Sequence, residues 1–164
     1  MMPKIHKSFL LFVFVLLFTG ANIAYSINIG IKAPDLLLTK TNGDSFKISD
    51  LNGSPVIISF YTIFGDSSVQ NLKFLESISK TEKNIKVIPV AIESKINKVS
   101  EFLKKNNISF PCIIDKNKDA LDQYKILILP LTIMVDSSGV IKNIYVDFDN
   151  TTKEKITKDL STIQ

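Results

Sequence analysis

After residue 26, the order of apolar and polar positions alternates between strand and helix periods at single-domain spacing. Residues 36–39 and 45–48 flank Asn42-Gly43, the dipeptide that most strongly signals a tight hairpin. Residues 56–61, Val-Ile-Ile-Ser-Phe-Tyr, are continuous and β-branched, which predicts a strand buried on both faces. Val69, Leu72, Leu75 and Ile78 then recur every third residue and predict an amphipathic helix. Its start is predicted at a Ser-x-x-Gln capping box, with Ser67 as N-cap and Gln70 reaching back. Residues 87–92 read as a second buried strand, although Pro89 removes a ladder donor and requires a sheet position that tolerates the loss. A helix carrying Ile96, Val99, Phe102 and Leu103 follows, then a short strand at 112–114 and a helical turn at 120–124. Strands at 131–135 and 140–146 are joined by Asp136-Ser137-Ser138-Gly139. A second capping box, Thr151-Thr152-Lys153-Glu154, opens a terminal helix that turns Ile156, Leu160 and Ile163 inward. The predicted order is β-β-β-α-β-α-β-(α)-β-β-α, one α/β domain around a mixed sheet.

The first 26 residues are of another kind. Lys4, His6 and Lys7 precede an unbroken apolar run of ten at 9–18, and Ala24-Tyr25-Ser26 places small residues at a cleavage site. That order predicts a secretory signal peptide over 1–26 and a domain over 27–164. The competing reading is an uncleaved anchor, which stretches the apolar segment to Tyr25. Either way the domain lies outside the cytoplasm, periplasmic or secreted, and it meets a membrane only if the leader stays. No cysteine follows the apolar run, which excludes a bacterial lipoprotein anchor.

Composition narrows the chemistry. The chain of 164 residues has a net charge of +4, with every cation a lysine, one histidine (His6) and one cysteine (Cys112). From residue 27 onward there is no histidine, so a Ser-His-Asp triad, a Cys-His pair and a histidine metal site are excluded. With one cysteine, neither an internal disulfide nor a zinc knuckle forms. Lysines interspersed with acids, without arginine forks or a basic stripe, give no support to nucleic-acid binding. No cofactor and no metal is expected.

At residues 56–72 the sequence resembles the strand-loop-helix of thioredoxin-like proteins of the TlpA/ResA type, relatives of the AhpC/TSA (redoxin) family. Gly30-Ile31-Lys32-Ala33-Pro34-Asp35, the hairpin and Ser49-Asp50-Leu51-Asn52-Gly53-Ser54 resemble that family's approach to the strand. Phe110-Pro111-Cys112-Ile113-Ile114-Asp115 and Leu129-Pro130-Leu131-Thr132-Ile133-Met134-Val135-Asp136, followed by Gly139, resemble its second half. The resemblance runs from about residue 29 to the C-terminus. It implies a thioredoxin-like fold: three layers, a central mixed sheet flanked by helices, and an N-terminal hairpin extension.

The chain departs from the family where the family does its chemistry. Phe60-Tyr61-Thr62-Ile63-Phe64 leads not into Cys-x-x-Cys but into Gly65-Asp66-Ser67-Ser68, so the two thiol positions fall on Gly65 and Ser68. A thiolate at a helix N-terminus attacks disulfides; glycine carries no nucleophile, and a serine hydroxyl does not ionise there. No catalytic residue is therefore expected, and the resemblance implies a degenerate site. Pro130 falls on the family's cis-proline, and with Leu129 it implies an edge at which an extended polypeptide pairs. Tyr61 and Phe64 belong either to that surface or to the core. Asp66 and Ser67 complete a helix start that favours a polar ligand, although Asp66 opposes an anion and the capping box explains Ser67 without a ligand. Cys112 is either a free redox thiol or a small buried strand residue. The reading is an extracytoplasmic thioredoxin-like protein that binds a polypeptide or serves a redox or assembly system without catalysis. Its rivals are thiol-disulfide or antioxidant activity through Cys112 with a partner, and a purely structural module.

Overall fold

The computed structural model describes residues 27–40, 42–111 and 113–163. The expectations for the leader at 1–26 and for Cys112 lie outside them. Seven strands form one sheet: β1 (Leu37–Lys40), β2 (Ser45–Lys47), β3 (Val56–Tyr61), β4 (Lys86–Ala91), β5 (Ile113–Ile114), β6 (Leu131–Val135) and β7 (Ile141–Val146). Their spatial order is β2-β1-β5-β4-β3-β6-β7. β3, β4 and β5 run parallel, as crossover helices require, and the hairpin β1–β2 and the pair β6–β7 are antiparallel additions on either side. The hairpin is thus the extension of the sheet that the resemblance implied.

Helices cover both faces. α1 (Asp66–Thr81), α2 (Ile96–Lys105) and α4 (Asn150–Asp159) pack on one side, α3 (Asp119–Gln123) on the other. All six residues of β3 are buried, so its run reads as apolar on both faces. Ile57 meets Leu75 of α1 and Ile156 of α4, while Ile58 and Phe60 meet the hairpin and Tyr124. Among the described residues no helix is long and apolar enough to cross a membrane.

Pro89 shows how the sheet admits a proline. The N–H groups of Lys86 and Ile92 donate to the carbonyls of Pro55, just ahead of β3, and of Tyr61 at its end, so the even-numbered amides of β4 point that way. Position 89 therefore faces the β5 side, and β5 is two residues long and pairs with β4 only at Ala91. No ladder partner is left waiting for the missing donor.

Both capping boxes are corrected. α1 begins two residues earlier than predicted, with Gly65 rather than Ser67 as N-cap and no side-chain cap. The Ser67 hydroxyl instead donates to Asp147 Oδ1 at 2.8 Å. α4 is capped by Asp149, whose carboxylate accepts from the Thr152 N–H at 2.7 Å, so Thr151 lies inside the helix.

Candidate functional site

Register places three chain segments at one end of the sheet. Phe60 of β3 pairs with Leu131 of β6, and Leu131 pairs with Val146 of β7. The loop leaving β3, the loop entering β6 and the turn leaving β7 therefore meet. The β3 loop turns at Gly65, whose φ of +87° is a conformation that side-chain-bearing residues rarely adopt, and it enters α1 at Asp66. The loop entering β6 contains the cis peptide bond Leu129–Pro130. α3 and the turn after it set that loop in place. Asp115 accepts from the Ala120 N–H at 2.8 Å, and its burial pushes the carboxyl above the usual range. The buried Tyr124 hydroxyl donates to the Pro34 carbonyl at 2.6 Å.

Asp147 joins the three segments. It sits in the left-handed region (φ 61°), where aspartate is one of the few tolerated side chains. Its N–H donates to the Pro130 carbonyl at 2.8 Å. Its carboxylate accepts from the Ser67 hydroxyl and from the Phe148 N–H, each at 2.8 Å. Nothing local to residue 147 in the sequence signalled this role, because its partners lie 17 and 80 positions away.

The predicted site residues separate into two groups. Phe64 is 69% exposed, and Gly65 and Asp66 are also at the surface. Leu129 is half-buried and Pro130 buried, but the loop before them exposes Leu127 (95%) and Ile128 (54%). Among the described residues, no hydrogen bond engages the main chain of Leu127, Ile128 or Leu129. Tyr61 goes the other way. It is 1% exposed and stacks on Phe102 of α2 at 6.0 Å, because as a strand residue it points to the helix-covered face. Of the two aromatic candidates, only Phe64 reaches the surface.

Ser68 is buried as well, one turn ahead of Asn71 on the same helix face. The Asn71 amide donates to Ser59 Oγ at 2.7 Å and to Thr132 Oγ1 at 3.3 Å, and those hydroxyls lie 3.1 Å apart across the β3–β6 pair. Sequence reading missed this cluster. Its only signal was a serine, an asparagine and a threonine interrupting otherwise apolar runs. The cluster holds hydroxyls and an amide, none of which titrates between acid and alkaline pH. Among the described residues, Ser68 Oγ and Asn71 Oδ1 have no hydrogen-bond partner. An unpartnered buried hydroxyl costs about 1–3 kcal/mol. Ser68→Ala is accordingly expected to raise stability by about 1 kcal/mol in urea unfolding; a loss of stability would mean that the hydroxyl is in use.

This end of the sheet is built as in thioredoxin-like proteins: a strand, a loop, the N-terminus of a long helix, and beside them a cis-proline loop. The chain belongs to the AhpC/TSA family, whose model matches residues 29–144. Among relatives, it is 31% identical over 119 residues to the thiol-disulfide oxidoreductase ResA of Bacillus subtilis, covering 71% of this chain and 66% of that protein. It is 25% identical over 141 residues to ResA of Geobacillus kaustophilus, covering 85% and 80%. Among solved structures, the thioredoxin domain of a Bacteroides vulgatus thiol-disulfide oxidoreductase superposes with a TM-score of 0.69 at 18% identity, over 85% of this chain and all of that one. StoA from Bacillus subtilis superposes with a TM-score of 0.63 at 20% identity, over 77% and 96%.

Proposed function

We propose that this protein is an extracytoplasmic member of the family whose redox pair has been replaced, and that it holds an extended polypeptide at its loop end without forming a disulfide. One observation carries this reading. The helix start that would present two thiols presents Gly65 and a buried Ser68, yet the neighbouring loops still expose Phe64, Leu127 and Ile128 around a stretch of main chain that no hydrogen bond among the described residues engages. Isolated exposed apolar residues are ordinary; three at one end of the sheet, beside N–H and C=O groups without a partner among the described residues, form a surface to which an extended chain adds by main-chain pairing and side-chain burial. The apolar leader at 1–26 supports a location outside the cytoplasm.

The test separates binding from chemistry. Reduced and carboxymethylated α-lactalbumin is unfolded and has no free thiol. The protein is expected to bind it, and Leu127→Asp with Ile128→Asp is expected to weaken binding tenfold or more, since burial of each apolar side chain contributes about 1.5–3 kcal/mol. Unchanged binding by that variant would remove the proposed surface. Insulin reduction by the natural chain, lost on Cys112→Ala, would replace this reading with thiol catalysis through Cys112.

A further inference from the structure

At the end of the sheet opposite these loops, a cleft of about 190 Å³ opens beside the turn between β6 and β7. Val56 pairs with Val135 there, four positions along β3 from the Phe60–Leu131 pair. The floor of the cleft is apolar: Val56, Ile58 and Val135 are buried and pack on the same side of the sheet. Ile48 and Leu51 of the 3-10 turn (Ile48–Leu51) and Lys32, whose segment bridges to Val140, line its sides. An apolar cavity of about 150 Å³ takes up benzene, so a branched or aromatic side chain has room here.

The charged part of the lining meets on one turn. Among the lining residues only Lys32 and Asp136 carry charge. The Lys32 ammonium donates to the Ser138 carbonyl. Asp136 accepts on Oδ1 from the Ser138 hydroxyl at 2.6 Å and from the Ser138 and Val140 N–H groups, and its Oδ2 takes none of these bonds. The Ser138 hydroxyl and the Val140 N–H hold this carboxyl below the usual range, so it is ionised at neutral pH. Among the described residues Lys32 and Asp136 make no ion pair with each other. A cation and an anion thus share one turn, unneutralised, beside an apolar floor. The charges on neighbouring positions sum to +1, from Lys47, Lys86 and Lys142 against Asp35 and Asp50. Asp35 is paired with Lys47 at 3.6 Å. That surplus favours a carboxylate on the ligand, but a ligand that is only an anion would leave Asp136 facing it without a counter-charge.

We propose that this cleft binds a free amino acid with an apolar side chain, its carboxylate on Lys32, its ammonium on Asp136 and its side chain over Val56, Ile58 and Val135. Both charged groups of an amino acid are attached to one carbon, which suits two opposite charges on a single short turn. The site is separate from the loop-end surface, and neither reading rests on the other.

The experiment follows amide chemical shifts of residues 49–53 and 136–140 in the purified protein, with those of 127–129 as the distant reference. L-Leucine is compared with glycine, which lacks the side chain, with 4-methylpentanoate, which lacks the ammonium, and with 3-methylbutylamine, which lacks the carboxylate. L-Leucine is expected to shift the cleft amides and to bind about tenfold or more tightly than glycine, since the apolar side chain is buried. It should also bind severalfold more tightly than either singly charged analogue, each of which leaves one charge-assisted hydrogen bond unmade. Asp136→Asn keeps an acceptor for the Ser138 and Val140 N–H groups and should erase the advantage of leucine over 4-methylpentanoate. Lys32→Met should erase its advantage over 3-methylbutylamine. Binding of 4-methylpentanoate or glycine as tight as that of leucine overturns the proposal. So does the absence of shifts at 49–53 and 136–140 with leucine at about 10 mM, well above the range of a specific site.

Discussion

Gly65→Cys combined with Ser68→Cys is expected to create insulin-disulfide reduction, while the natural chain and each single variant stay at background. Position 68 accepts the change readily. Ser68 is 1% exposed with an unpartnered oxygen, and a thiol behaves there as a small apolar group that demands no hydrogen bond. Position 65 has the space, since a Cβ there meets nothing within 4 Å, but not the backbone, because φ is +87°. A side chain held in that conformation costs about 1–3 kcal/mol, which the loop relieves by turning back to negative φ. The double variant should therefore be less stable than Ser68→Cys alone by up to about that amount. The N-terminus of α1 then favours a thiolate at 65, while Asp66 beside it works in the opposite direction. Turnover should rise between pH 7 and 8.5, and adding Asp66→Asn should increase it at neutral pH. A double variant that forms its internal disulfide yet reduces no insulin would count against the proposal that the redox pair of this scaffold has been replaced.

The parts of this fold that were legible in the sequence are those set by local pattern and strong burial. β3, buried along its whole length, reads as an apolar run. The six-residue β7 appears within a residue of its predicted limits, and the 16-residue α1 carries the predicted apolar face but starts two residues before its predicted N-cap. The errors arise where a distant group outcompetes a local one. Ser67-Ser68-Val69-Gln70 has the spacing of a capping box, but Asp147 takes the Ser67 hydroxyl, and no window around residue 67 contains it. Thr151 and Asp149 are both capable caps two residues apart, and the aspartate takes the role. Tyr61 and Phe64 looked equivalent as members of one aromatic stretch. Strand alternation separates them, because Tyr61 is still in β3 and Phe64 is past its end. The polar cluster under α1 was the least legible feature. Ser59, Asn71 and Thr132 come from three elements, and only the β3–β6 register brings them together.

That cluster also carries the largest expected effect of a single substitution. Asn71→Asp is nearly isosteric, and Ser59 and Thr132 can both turn their hydroxyls to donate to the new carboxyl. Position 71 is fully buried, however, and burial disfavours the ionised form, raising the folded-state pKa above the unfolded value of about 3.9 by roughly three units or more. A group with a raised folded pKa binds its proton more tightly in the native state. The variant should therefore keep near-natural stability below about pH 4 and lose it as the pH rises. At about 1.36 kcal/mol per unit, the deficit reaches about 4 kcal/mol by pH 7, a large part of a small domain's stability. Urea unfolding at a series of pH values reads this directly, with Asn71→Leu as a control that changes the packing without adding a titrating group. A flat profile for Asn71→Asp between pH 4 and 7 would mean that water reaches the cluster. The natural asparagine, by contrast, carries no titrating group at position 71, so the cluster of Ser59, Asn71 and Thr132 adds no pH dependence of its own.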